Sequence, residues 1–278
     1  MGADSGSIHN MNADLQTVRP IRPVAAYIGG KKQLSKLLAD LIAATDHTTY
    51  CEPFVGMGGV FFKRHAVPKA EAINDLSRDV ATFFRILQRH YQPFMDMLKW
   101  QLSSRAEFER LLRREPDTLT DLERAARFLY LQRLSFGGKV AGRVFGIDTQ
   151  APGRFDVRKL GPLLEAAHER LAGVWIECLP WRQFIERWDR PGTLFYLDPP
   201  YWGTEHYYGR ELFGRDEFTE MAAILRGLQG RFILTLNDVP EVRALFSWAR
   251  IETAELTYTA GGNGAAKSVR EVVIRGPS

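Results

Sequence analysis

The chain has 278 residues, 45% of them hydrophobic, with 37 Lys and Arg against 33 Asp and Glu and a formal net charge of +4. That supports one large α/β domain with an elaboration, or two smaller domains, and the mild positive charge permits a nucleic-acid partner without demanding one. Two distant cysteines, Cys51 and Cys178, without CxxC or Cys/His spacing exclude a disulfide framework and a zinc site; with no apolar run long enough to span a bilayer and no secretory leader, a soluble cytoplasmic protein with no membrane partner is expected.

Residues 1–24 are polar, lack periodicity and close on two prolines, which predicts a disordered lead-in. In "KKQLSKLLADLIAA" the residues Leu34, Leu37, Leu38, Leu41 and Ile42 recur at helical spacing, so a helix follows the turn "YIGGKK". "TTYCEPFVGMGGVFFKRH" predicts a strand ending near Glu52, a turn carrying Gly56, Gly58 and Gly59, and a helix from about Val60. "AEAINDLSRDVATFFRILQRH" predicts a strand ending at Asp75 and a helix with Val80, Phe83, Phe84 and Leu87 on one face. Such alternation implies a parallel sheet with crossover helices.

From about Tyr91 to Leu134 strand signals stop. "LTDLERAARFLYLQRL" is the clearest amphipathic helix there, with Thr120 or Asp121 as its cap. "SFGGKVAGRVFGIDTQAPGRFDVRKL" follows, rich in glycine, proline and basic residues, and predicts an exposed basic loop or hairpin. The domain reading is therefore a catalytic unit of residues 25–90 and 155–278 with a helical and hairpin insert at 91–154. The α/β pattern resumes as a helix in "GPLLEAAHERLA", a strand in "VWIECL", a short helix in "RQFIERW" and an apolar strand in "GTLFYL". A helix in "DEFTEMAAILRGL", a strand in "RFILTLN" and a helix in "EVRALFSW" come next. "RIETAELTYT" and "SVREVVIRG" around the turn "AGGNGAA" predict a closing β-hairpin at the sheet edge.

In an open parallel sheet ligands bind beyond the carboxyl ends of the strands, and three places there carry chemistry. In "EPFVGMGG" the glycines permit close backbone approach, although a plain strand-to-helix turn explains them equally. Asp75, at the end of the next strand, can accept hydrogen bonds from both hydroxyls of a ribose, or cap the helix starting near Ser77, or do both. In "YIGGKK", Tyr27 can lie against an apolar or aromatic group and Lys31 can meet an anion. In "DPPY", two prolines fix Asp198 and the Pro199 carbonyl in extended geometry. The pair can hold both N–H donors of an exocyclic amine and direct its lone pair at an electrophile, while Tyr201 stacks on the base. No set of metal ligands is present.

"DPPY", "EPFVGMGGVFF", "YIGGK" and the acid at Asp75 stand in the order of the Dam-type DNA adenine-N6 methyltransferases, which this chain resembles from about Ala25 to Ile274. "FLYLQR" and "GGNGAAKSVREVV" extend the likeness. The resemblance implies a Rossmann-like α/β sheet with a terminal antiparallel hairpin and a mainly helical target-recognition insert. It implies S-adenosyl-L-methionine as cofactor and double-stranded DNA as partner, with methyl transfer to N6 of a flipped-out adenine. By that likeness Tyr27 and Lys31 belong to the cofactor site, Glu52, Phe54, Gly56 and Gly58 line its methionine end, and Asp75 binds the ribose. Asp198, also beside the cofactor, is the catalytic acid, with Pro199 and Tyr201 completing the amine clamp. Arg133, Lys139 and Arg143 are expected at DNA phosphates or guanine edges.

Two departures matter. Many relatives carry an acid and an aromatic where this chain reads "CLPWRQF", so Trp181 is expected to pack the cofactor's adenine and a backbone amide to bond it. "FGGKVAGRVFG" replaces the asparagine-glycine pair frequent in relatives, so GATC specificity is not carried over. The residues themselves leave open N4-cytosine methylation, adenine methylation in RNA, or a DNA-binding relative without catalysis. A partner endonuclease is not legible in one chain.

Overall fold

The apolar run Thr193–Leu197 forms a strand of which every residue is buried. Leu194 and Tyr196 enter one core cluster and Phe195 and Leu197 the other, the two-residue alternation of a strand covered on both faces. The computed structural model describes residues 15–27, 31, 33–147, 149–150, 152–203, 213–259 and 266–277, with backbone alone for 255–259 and 266–269. Its strands are β1 (Gln16–Thr17), β2 (Thr49–Glu52), β3 (Ala66–Val67), β4 (Ala70–Asn74), β5 (Trp175–Glu177), β6 (Thr193–Leu197), β7 (Arg231–Asn237), β8 (Arg250–Thr259) and β9 (Ala266–Arg275). Its α-helices are α1 (Ser35–Ala44), α2 (Arg78–Arg89), α3 (Tyr91–Leu98), α4 (Arg105–Arg113), α5 (Asp121–Leu134), α6 (Val157–Arg170), α7 (Trp181–Trp188), α8 (Arg215–Arg226) and α9 (Pro240–Leu245).

Among the described residues the main sheet has seven strands in the order β5-β4-β2-β6-β7-β9-β8. β5, β4, β2, β6 and β7 pair parallel, β9 lies antiparallel between β7 and β8. The expected α/β class with a closing antiparallel hairpin is what the chain forms; residues 260–265 of the "AGGNGAA" turn lie outside the described residues.

Three expectations are corrected, and the expected helix α1 forms with one of its leucines turned outward. The lead-in is ordered from residue 15: β1 pairs antiparallel with β3, the Val18 and Ile21 amides donate to His65 and Phe62, and Val24 is buried. Around its prolines this segment still carries apolar side chains and free donors, and both find partners; residues 1–14 lie outside the described residues. The helix from Val60 is only a 3-10 turn, Phe61–Lys63. Val60, Phe61, Phe62 and Arg64 are all buried there, and so dense a run cannot share one face of a longer helix. In α1, Leu37 points outward, 53% exposed, since Leu34, Leu38 and Ile42 already fill the buried stripe. Helix α5 is not amphipathic, being buried nearly all round. Its charges are accommodated within the protein, Arg124 by Asp79 at 2.6 Å and Arg127 by the Leu111 carbonyl at 2.8 Å.

Helix α5 starts at Thr120, whose side chain and that of Glu123 form a reciprocal capping box. Segment 91–154 shares a continuous core with the sheet through Phe94, Phe108 and Phe128 packed with Phe83 and Phe84. Beyond α5 the chain makes a narrow hairpin, bridged at Ser135 and Phe145, as the glycine-rich stretch predicts.

Candidate active site

Chain order reverses across the sheet between β2 and β6: β4 and β5 are added on one side, β6 and β7 on the other. Such a switch opens a crevice at the carboxyl ends of the strands. A cavity of about 1130 Å³ lies there, lined by Tyr27, Lys31, Glu52, Gly56, Asp75 and Asp198 among others. Phe54 lines it too, its ring 6.4 Å from Trp181 and 5.9 Å from Phe213. Trp181 lines the cavity as well, and its indole N–H is taken by Glu217.

Gly56 adopts φ +51°, and a Cβ there would meet the Tyr27 ring at 3.0 Å. Gly58, at φ +72°, does not line the cavity: a Cβ would press into the Phe62 ring at 2.6 Å, so it shapes the turn from behind. Asp75 accepts the Gly56 amide at 2.9 Å and the Ser77 amide at 2.9 Å. It thus caps the turn before α2 and lines the cavity at once. Burial pushes its carboxyl up to about 6, against the two amides.

Glu52 ends β2, buried, and accepts the Tyr50 hydroxyl at 2.9 Å. Burial is the main cause that raises its carboxyl to about 8. Asp198 follows β6, and burial pushes it up while Lys31 opposes the shift. Both its partners bind one oxygen: Oδ1 lies 2.9 Å from Lys31 Nζ and accepts the Thr235 hydroxyl at 3.1 Å. Among the described residues Oδ2 takes no hydrogen bond. That oxygen is available to a donor entering the cavity.

Lys31 is itself buried, and its ammonium also donates to Tyr201 Oη and pairs with Glu271 at 3.1 Å. Pro199 is buried, and Pro200 rather than Pro199 or Tyr201 lines the cavity. The loop beyond is pinned by Asn237, which exchanges two hydrogen bonds with the Trp202 backbone at 2.9 and 3.0 Å. Residues 204–212, which follow this loop, lie outside the described residues.

The three basic residues of the insert differ. Arg133 donates to the Val24 and Arg154 carbonyls at 3.2 and 2.8 Å. Arg143 donates to Gln132 Oε1 at 3.0 Å and to the Lys139 carbonyl at 3.3 Å. Burial lowers both guanidinium pKa values. Lys139 is exposed. Gln132 donates to both the Ala26 and Gly138 carbonyls at 2.8 Å, joining this loop to the segment that carries Tyr27.

Glu271, Asn237, Thr235 and Asn74 belong to the site and were not read from the sequence. Asn74 donates to the Pro53 and Leu179 carbonyls at 3.0 Å and accepts the Leu179 amide at 2.8 Å, locking three strand ends together. Asn237 was within reach of the strand-end rule, because it closes "RFILTLN". The signal for Glu271 is a lone acid inside "VREVVI".

Comparison with known proteins agrees with this architecture. The family model for the D12 class N6 adenine-specific DNA methyltransferases matches residues 27–260. The type II methyltransferase M1.LlaDCHI of Lactococcus lactis subsp. cremoris is 23% identical over 273 residues, covering 91% of this chain and 95% of its own. The type II methyltransferase M.CviBI of Paramecium bursaria Chlorella virus NC1A is 22% identical over 228 residues, covering 81% and 86%.

Proposed function

The chain belongs to the D12 class N6 adenine-specific DNA methyltransferases, and on that premise we propose how its residues divide the work. S-Adenosyl-L-methionine occupies the cavity, and an adenine turned out of double-stranded DNA is presented to Asp198, Pro199 and Tyr201. The observation that carries this reading is Asp198 lining the same cavity as Asp75 with Oδ2 unengaged.

The cavity residues fit such a cofactor. Asp75 offers a carboxylate for ribose hydroxyls, Phe54, Trp181 and Phe213 an aromatic wall for a purine, and Gly56 a backbone that approaches closely because it bears no Cβ. When bound, the cofactor supplies an electrophilic methyl group. Asp198 Oδ2 and the Pro199 carbonyl accept the two N–H bonds of the adenine amine, which turns its lone pair out of conjugation. The Tyr201 ring fixes the base plane. Acceleration comes chiefly from holding two reactants in one orientation, so Asp198 need not be a strong base. The amine loses its proton only once it is cationic, to water or to Asp198.

Segment 91–154 is assigned to target recognition, with Lys139 on a phosphate. The type II relatives support a role in a restriction-modification pair. The test is to incubate duplex DNA with labelled S-adenosyl-L-methionine, digest it and identify the modified nucleoside. N6-methyladenine is expected; N4-methylcytosine, or no labelled nucleoside, overturns the reading.

A further inference from the structure

Glu271 sits fully buried in β9, next to Val272, Val273 and Ile274 of the core. A carboxylate is costly there unless its oxygens are paired, and the two are shared out. Oε1 accepts the Tyr201 hydroxyl at 2.5 Å and Oε2 lies 3.1 Å from Lys31 Nζ. The Lys31 ammonium has three N–H bonds and meets three oxygens, those of Tyr201, Asp198 and Glu271. Directly across the sheet from Glu271 is Asn237, and opposed residues present side chains to one face. One holds the Tyr201 phenol, the other the Trp202 backbone.

We propose that Glu271 is a positioning residue for methyl transfer: it draws the Lys31 ammonium partly away from Asp198 and fixes the Tyr201 ring, so that the closing hairpin sets the geometry of the amine site. This rests on the reading that Asp198 and Tyr201 receive the adenine. Two carboxylates share one ammonium, so Asp198 keeps acceptor strength for a substrate N–H. Without the Glu271 charge, Lys31 belongs to Asp198 alone and that strength drops. The groups facing Asp198 are Lys31, Glu271, the Thr235 hydroxyl, Glu52 from the neighbouring strand β2 and Tyr196 from its own strand β6. Removing the Glu271 charge takes away a repelling neighbour, so Asp198 ionises at lower pH.

The experiment compares wild type, Glu271→Gln, Tyr201→Phe and the double variant on duplex DNA across pH. For Glu271→Gln, kcat is expected to fall about tenfold, with the cofactor Kd and the DNA KM within about twofold. The acid limb of kcat/KM should move to lower pH, and the double variant should lose less than the sum of the singles. Wild-type kcat in Glu271→Gln overturns the proposal. So does a loss with an unmoved acid limb and full additivity, the pattern of a merely structural residue. Should Glu271→Gln fail to fold, Tyr201→Phe decides: kcat lowered about fivefold at unchanged cofactor Kd supports the tether, and wild-type kcat overturns it. A wild type that forms no N6-methyladenine overturns the functional reading itself, whereas an active wild type with an indifferent Glu271 overturns only the tether.

Discussion

Two clusters of buried charge flank the central strands, and they are built oppositely. At Glu71 on β4, Arg170 binds both carboxylate oxygens at 2.6 and 2.8 Å while Arg64 pairs with Oε1. Arg64 is stacked on the Tyr50 ring, 3.5 Å from its centroid. Two cations close on one acid there, and both its oxygens are used. At Lys31 two acids and a phenol close on one cation, and Asp198 Oδ2 is left over. An acid with both oxygens taken can only hold the fold; one with an open acceptor in a cavity can bind and react. Cation excess near the core and acid excess at the cavity thus separate support from chemistry.

The largest effect that could break this contrast is at the open acceptor. Asp198→Ala is expected to lower kcat about 10³-fold, the scale of removing a preorganised polar contact to the reacting group, with DNA binding and melting temperature retained. Near-wild-type turnover in a single-turnover assay would remove the amine clamp. Glu71→Gln should do the reverse. Breaking a buried ion pair costs about 3–5 kcal/mol, so the urea midpoint should fall steeply while kcat per folded molecule stays within about twofold. A stable Glu71→Gln protein with ruined kcat would show that the closed cluster also serves chemistry.

The open cluster was half legible in the sequence, for a physical reason. Asp198, Asp75 and Glu52 end strands, and the strand-end rule with the stiffness of "DPPY" points to them before any contact is known. What completes them comes from far along the chain: Glu271 lies 70 residues beyond Tyr201, and a single acid inside an apolar strand reads only as an oddity. The closed cluster was not legible at all. Arg64 falls in the stretch expected to be a helix from Val60, and its burial depends on Tyr50, Glu71 and Arg170 meeting in three dimensions. The lead-in failed similarly, since pairing with β3 is not encoded in its own composition. The helical insert was visible as helices, but the burial of α5 on all sides was hidden by Arg124 and Arg127, whose partners lie elsewhere.

Glu52 stands between the clusters, felt by Arg64 on one side and Asp198 on the other, and it sharpens the contrast through pH. Its carboxyl is raised in the folded chain from 4.5 to about 8. Its contribution to stability is therefore full below about pH 4.5 and is lost as pH rises through about 8, with a slope of at most about 1.4 kcal/mol per unit. Glu52→Gln should flatten that decline in denaturant titrations of the cofactor-free protein. An unchanged slope would mean that another group, Asp75 with its carboxyl near 6 first among them, carries the dependence.

The smallest effect asks whether the same distinction between used and open groups holds at the protein surface. Arg133 and Arg143 give donors to carbonyls and to Gln132, whereas the exposed side chain of Lys139 has no hydrogen bond or ion pair among the described residues. If open groups are the functional ones, Lys139→Ala should weaken DNA binding alike for target and non-target duplexes. The slope of log affinity against log salt should fall by about one, the signature of one lost phosphate contact. Arg143→Ala should instead lower the melting temperature and disturb the loop that Gln132 ties to the Tyr27 segment, leaving the salt slope largely in place. The opposite pattern, a slope change in Arg143→Ala and none in Lys139→Ala, would mean that Arg143 exchanges its internal partners for phosphate when DNA arrives, and that occupancy in the free protein does not mark a residue as structural.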